Sequence, residues 1–195
     1  MIEQITSQFG GEIDTLKSTA VAAVIGLIRD TVQQNLPAVH REMELVAARM
    51  GHGRPVRQYH LGGGTPNFIS PAAMERLVAK ARELFRFEDG AEMSIEVDPR
   101  HLSPAEIGHL KALGFNRLSL GIQDFDEQVQ AGVNRVEPYA HVQQLIAAAR
   151  AEGFQGINFD LIYGLPHQTR DRFRQTVERV LALAPDRLAL YNFAY

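Results

Sequence analysis

Acid, amide and hydroxyl side chains recur at every second position in four short apolar runs of this 195-residue sequence. Gln58 and His60 stand in the first, Ser94, Glu96 and Asp98 in the second, Ser119 and Gln123 around Gly121 in the third, and Asn158 and Asp160 in the fourth. Carboxylates and a primary amide can bond hydroxyls or an ammonium group, and a guanidinium such as that of Arg135 can grip a carboxylate with charge-assisted hydrogen bonds. Gly62-Gly63-Gly64-Thr65-Pro66 follows the first run directly. Three glycines let the backbone approach a ligand closely and leave its amides and carbonyls free to bond it, although a Gly-rich turn after a strand is often only a turn. Plain alternatives stand beside the other residues too: Arg135 as a surface ion pair, Asp160 as the cap of the loop that follows it. Tyr59 and His60 read as strand residues of the core, with a ligand role the lesser reading for His60.

Period-two alternation needs strands to display it. Parallel strands covered on both faces usually read as unbroken apolar runs, so alternation in them asks for a cause. Met93, Ile95 and Val97, then Leu118, Leu120 and Ile122, then Ile157, Phe159 and Leu161 supply one apolar face. That face must pack on helices, which leaves the polar face to line the inside of a curved sheet, with its ligand groups toward the C-terminal strand ends. A solvated outer face is the competing interpretation. Four strands with acid or amide groups at matching positions favour a ligand cavity.

The strand-like runs are 56–61, 93–97, 117–121, 157–161 and 187–191, separated by helical stretches at the roughly 25 to 40 residue spacing of βαβ units. Ser70-Pro71, Ser103-Pro104 with Glu106, and Thr169 mark helix starts, because the hydroxyl satisfies free amides and proline suits the first turn. This predicts an α/β fold of about five parallel strands, a half-barrel or open sheet. Ahead of it, Ile13, Leu16, Ala20, Ala23, Val24, Leu27 and Ile28 are spaced as one stripe of a helix over 13–35, and a second helical stretch runs over 37–50 to the Gly51-His52-Gly53 stop. Residues 1–35 are thus expected to be a helical extension and 36–195 the core domain.

Charge and composition narrow the chemistry. A net charge of -3 with 20 Lys+Arg spread along the chain gives no footprint for nucleic acid. Cysteine is absent, which removes disulfides, thiolate zinc sites, cysteine nucleophiles and cysteine-held iron-sulfur clusters from these residues. The apolar run 20–28 ends at Arg29-Asp30, about half of what a membrane span needs. With Glu3, Glu12 and Asp14 ahead of that run, no export signal is read and a cytoplasmic location is expected.

Taken together, the Gly-rich turn, Ile95-Glu96-Val97-Asp98-Pro99-Arg100, Asn116-Arg117-Leu118-Ser119-Leu120-Gly121-Ile122-Gln123-Asp124-Phe125, Val133-Asn134-Arg135 and Asp160-Leu161-Ile162-Tyr163-Gly164-Leu165-Pro166 resemble the oxygen-independent coproporphyrinogen III oxidase family, from about residue 36 to the end. The resemblance implies a radical S-adenosylmethionine barrel of six parallel strands, a four-iron four-sulfur cluster, and oxidative decarboxylation of two propionates of coproporphyrinogen III in heme synthesis. By the same resemblance, Gly63, Gly64 and Thr65 match the loop that holds S-adenosylmethionine, and Glu96, Gln123, Arg135, Asp160 and Ala194 match further binding positions. Ala194 matches by position only, since a methyl group carries no recognising chemistry.

Two departures qualify what is implied. The family carries a Cys-x3-Cys-x2-Cys loop upstream of the Gly-rich turn, whereas here the residues before Leu36 do not match the family and contain no cysteine. Leu61 stands where the family commonly has an aromatic residue. Lacking thiolates for a cluster, the chain alone is expected to be inactive: a dehydrogenase by ancestry, and otherwise a residual S-adenosylmethionine or porphyrin-binding module or a nonfunctional gene fragment. A heme-handling chaperone branch is the rival within the superfamily, and Asp98-Pro99-Arg100, Gln123-Asp124-Phe125 and Val133-Asn134-Arg135 speak for the oxidase. Five strands of six leave sheet edges open to association, and the helix over 13–35 is expected to cover that edge or cavity.

Overall fold

The computed structural model of the chain describes residues 34–194. The helix expected over 13–35, and its covering role, fall outside the described residues, as does all but the end of the proposed extension. Five strands, β1 (Pro55–Leu61), β2 (Arg86–Val97), β3 (Arg117–Gln123), β4 (Gly156–Tyr163) and β5 (Arg187–Asn192), form one parallel sheet in sequential order, a half-barrel with helices against it. Each crossover carries helix: α2 (Pro71–Leu84), α3 (Pro104–Ala112), the short α4 (Glu127–Gly132) with α5 (Tyr139–Ala151), and α6 (Arg170–Leu183), preceded by α1 (Leu36–Met50).

Local chemistry explains the element boundaries. Pro37 suits the first turn of α1, which ends where Gly51 adopts φ 99°. Ser70 Oγ accepts from the Ala73 amide at the start of α2, and Thr169 Oγ1 from the Arg172 amide at the start of α6. Ser103 and Glu106 form a reciprocal capping box on α3. Asp126, not singled out in the sequence, caps α4 by accepting from the amides of Gln128 and Val129. β2 begins seven residues before the expected position 93, and a register shift between Val56 and Gln58 absorbs Glu88-Asp89-Gly90-Ala91.

The alternation holds across the sheet. Met93, Ile95, Val97, Leu118, Leu120, Ile122, Ile157, Phe159 and Leu161 are all buried, against Ile107 and Leu110 of α3, Val142, Leu145 and Ala149 of α5, and Val180 of α6. Burying each large aliphatic or aromatic side chain contributes about 1.5–3 kcal/mol. At β5 the protection ends: Leu188, Leu190 and Tyr191 are exposed, and β1 and β5 are the outermost strands described. Among the described residues no further strand pairs with the outer side of either.

Candidate functional site

Strand register sets the polar residues in rows. His60 pairs with Ser94, Glu96 with Ser119, Ser119 with Asn158, and Gly121 with Asp160, which in turn faces Ala189 of β5. All lie on the face opposite the packed core. Glu96, Gln123 and Asp160 therefore share one surface, as the alternation predicts.

The Gly-rich turn closes over the head of this surface. Gly63 and Gly64 adopt φ 76° and 55°, a left-handed geometry that side-chain-bearing residues occupy only with strain. The Gly63 amide donates to Glu96 Oε2 at 2.9 Å, so the turn and β2 are fastened through the carboxylate itself. Thr65 begins a single 3-10 turn, Pro66–Phe68, without using its hydroxyl as a cap. On the opposite, helix-packed side of the sheet a cavity of about 560 Å³ opens among Leu61, Gly63, Phe68, Met74 and Leu77, and none of the polar-row residues lines it.

His60 differs from its expected core position. It is half-exposed on the polar face, with Nδ1 at 2.8 Å from Ser94 Oγ and Nε2 at 3.4 Å from Glu96 Oε1. Tyr59 does join the core, edge-on to Phe87 at 5.5 Å between ring centroids, and burial pushes its phenol up to about 12.

Gln123 ends β3 with φ 65°, a positive value at a non-glycine residue, where the register slips against β4. Its side chain reaches back over Gly121, where an added Cβ would stand 2.9 Å from Gln123 Nε2 and 3.4 Å from Arg135 Nη2. Gln123 Oε1 is buried without a hydrogen-bond partner. An orphaned acceptor of this kind costs about 1–3 kcal/mol, and a ligand donor at this place would satisfy it.

Asp160 accepts from Asn158 Nδ2 at 2.8 Å and from Ser119 Oγ at 3.3 Å, rather than capping the loop after β4. Burial raises its carboxyl above the usual carboxylate range, the two hydrogen bonds pull it down, and the charge of Glu96 raises it again. The net direction is up. A raised folded value means that stability fully present below about pH 3.8, the ordinary aspartate value, is lost as pH rises through the folded value. Asp160→Asn should therefore raise Tm by a few degrees at neutral pH, with the gain vanishing in acid. Thermal unfolding of both proteins across pH 3 to 8 would check this, and an equal gain at every pH would exclude ionisation of Asp160 as the cause.

Arg135 is neither a plain surface pair nor unattached. Its Nη2 donates to Asp98 Oδ2 at 3.2 Å, and Asp98 is only 6% exposed. Ala194, just beyond β5, is exposed and makes no polar side-chain contact of its own.

Sequence reasoning gave no role to several residues that build the surround. Asn67 donates to the carbonyls of Asp98 and His101 and accepts from the Asp98 amide at 3.0 Å, tying the first loop to the second. Asp124 accepts from Gln168 Nε2 at 2.6 Å, while Gln168 Oε1 accepts from the Gly164 amide, tying the loop after β3 to the loop after β4. Gln130 braces the same region from Asp124 O to Glu137 O. Only the quoted blocks containing Asp98, Arg100 and Asp124 carried any trace of them.

Residues 30–180 match the family model described as the Radical SAM superfamily. An oxygen-independent coproporphyrinogen III oxidase of Helicobacter pylori strain J99 is 46% identical over 156 residues, covering 80% of this chain and 34% of that protein. The protein of the same name from Escherichia coli K12 is 46% identical over 166 residues, 85% of this chain and 35% of its own length. The chain thus spans about a third of these curated relatives. The solved structure of coproporphyrinogen III oxidase (HemN) from Escherichia coli, itself described as a Radical SAM enzyme, superposes with TM-score 0.82 at 45% identity, covering 85% of this chain and 38% of that one. The radical S-adenosylmethionine methyltransferase TsrM of Kitasatospora setae shares the fold alone, with TM-score 0.61 at 16% identity over 80% of this chain and 30% of that one. A parallel half-barrel with its polar groups gathered under a Gly-rich turn, matched over most of its length by that family model, belongs to the Radical SAM superfamily.

Proposed function

We propose that this chain is the S-adenosylmethionine-binding part of an oxygen-independent coproporphyrinogen III oxidase, a cytoplasmic enzyme of heme synthesis that converts coproporphyrinogen III to protoporphyrinogen IX by oxidative decarboxylation. Supporting the ligand is one observation above others: Gln123 Oε1 is a buried acceptor with no partner, on the same face as Glu96 and Asp160. Supporting the reaction are the names of the relatives, which the chain matches over about a third of their length.

In this reading Gly63, Gly64 and Thr65 hold the methionyl end beside Glu96. Asp160 and Gln123 take hydroxyl or ammonium donors, Arg135 takes the carboxylate, and Ala194 contributes contact alone. S-adenosylmethionine when bound supplies one-electron chemistry through its reductive cleavage. The iron-sulfur cluster does not fit the residues present: the chain has no cysteine, and among the described residues no group of three His, Cys, Asp or Glu could hold a metal ion. Thiolate ligands would come from outside these residues, and the 195 residues alone are read as inactive. No helix among the described residues is long and apolar enough to cross a membrane.

Titration with S-adenosylhomocysteine tests the pocket. At a hundredfold excess over Kd, one-site binding stabilises by about 2.7 kcal/mol, so a clear rise in Tm is expected, and no rise at millimolar ligand would remove the binding assignment. Anaerobic reconstitution with iron and sulfide tests the rest. We expect neither cluster absorbance nor cleavage of S-adenosylmethionine, and the appearance of both would overturn the inactive reading.

A further inference from the structure

Resting on the ligand assignment above, we propose that Asp98 is the positioning residue for Arg135, holding its guanidinium over Gly121 so that the remaining donors meet the carboxylate of an amino-acid-bearing ligand. Asp98 stands directly after β2 and is 6% exposed. Its Oδ2 receives Arg100 Nη2 at 2.6 Å and Arg135 Nη2 at 3.2 Å, and its Oδ1 receives Arg100 Nε at 3.0 Å and the Arg100 amide at 3.1 Å. Arg100 Nη1 reaches the Asn134 carbonyl at 3.0 Å, so one guanidinium fixes both the carboxylate and the residue before Arg135. Asn134 itself has φ 53°, a left-handed conformation that asparagine adopts more readily than most residues.

The backbone of Asp98 is held as firmly as its side chain, by the Asn67 amide on both its N–H and its carbonyl. A carboxylate fixed from both sides can orient an arginine that approaches from a distant loop. Arg135 uses Nη2 for Asp98, and its other guanidinium donors have no hydrogen-bond partner among the described residues. Nη2 stands 3.4 Å from the place a Gly121 Cβ would occupy, which puts the group on the polar face beside Gln123. Burial pushes the Asp98 carboxyl up, but hydrogen bonds from Arg100 and the charge of Arg135 outweigh this and hold it below the usual carboxylate range. The anchor thus keeps its charge at neutral pH.

Two ligands separate positioning from mere support of the fold. S-adenosylhomocysteine carries the amino-acid carboxylate, whereas 5′-methylthioadenosine keeps the nucleoside and lacks it. Calorimetric titration of the 195-residue chain is expected to show Asp98→Asn and Asp98→Glu each weakening S-adenosylhomocysteine roughly tenfold or more, with 5′-methylthioadenosine affinity unchanged. Arg135→Ala should give the same selective loss, and the Asp98→Asn, Arg135→Ala double variant no further loss. Parallel weakening of both ligands, unfolding of both Asp98 variants, or undiminished S-adenosylhomocysteine binding would overturn the proposal. A wild-type chain that binds neither ligand would remove the underlying assignment and this proposal with it, whereas a selective wild-type chain with indifferent Asp98 variants would remove the proposal alone.

Discussion

Gly62→Ala is expected to weaken S-adenosylhomocysteine binding by roughly 10- to 100-fold, as much as Glu96→Ala, while changing stability little. The reason is steric. A Cβ at Gly62 would stand 2.4 Å from His60 Nε2 and 2.9 Å from Glu96 Oε1, closer than carbon and these atoms approach without a bond. Both obstacles are the ends of flexible, half-exposed side chains, so they can swing aside. Doing so breaks the hydrogen bond from the Gly63 amide to Glu96 and removes the carboxylate from the head of the ligand surface. Gly62 is not in the left-handed region, so alanine suits its backbone, and the smaller entropy of the unfolded chain offsets about 0.4–1 kcal/mol of the disturbance. Calorimetry for affinity and thermal unfolding for stability would check both halves. An alanine variant that binds like the wild type, beside a Glu96→Ala variant that does not, would show that the carboxylate has another way to its ligand.

Residues whose signal is periodic were readable, and residues whose signal is a single distant contact were not. Glu96 and Asp160 declare their face because alternation with Ile95, Val97, Phe159 and Leu161 leaves them one side of the sheet, and the fold confirms that side. Helix starts at Ser70, Ser103 and Thr169 were legible because a cap acts within three residues. Gln123 was placed by its position in the strand, but its positive φ and orphaned carbonyl depend on the register slip against β4, which no local pattern encodes. His60 misled for a related reason. Its ring is as compatible with a core as with a polar row, and only the pairing with Ser94 and Glu96, 34 and 36 residues on, decides between them. Asn67 and Gln168 act across 31 and 44 residues, through amides that look in the sequence like any loop polar residue.

Asp124 is the severest case of such a distant contact, and its loss should have the largest effect on stability. It is 1% exposed. Its Oδ1 accepts from the Asp126 amide at 2.7 Å and from the Thr176 hydroxyl of α6, and its Oδ2 from Gln168. Asp124→Ala would leave those donors facing a buried void, and each buried donor left unsatisfied costs about 1–3 kcal/mol. Asp124→Asn should cost less, because its carbonyl can keep the Asp126 and Thr176 bonds. Its new NH2 would nonetheless confront the Gln168 NH2, donor against donor. Gln168 cannot turn over without losing the bond from the Gly164 amide and its own bond to Ile162 O, so about 1–3 kcal/mol remains. Denaturant unfolding of the two variants should therefore order them wild type, Asn, Ala, with a midpoint shift and unchanged m-value. Equal stability of the two variants would mean that the carboxylate oxygens do not divide the donors as the geometry has them. Because Gln123 precedes Asp124 in the chain and bears the strained φ, the alanine variant should also lose ligand affinity while still folded: the network holds the turn that aims the unpartnered amide.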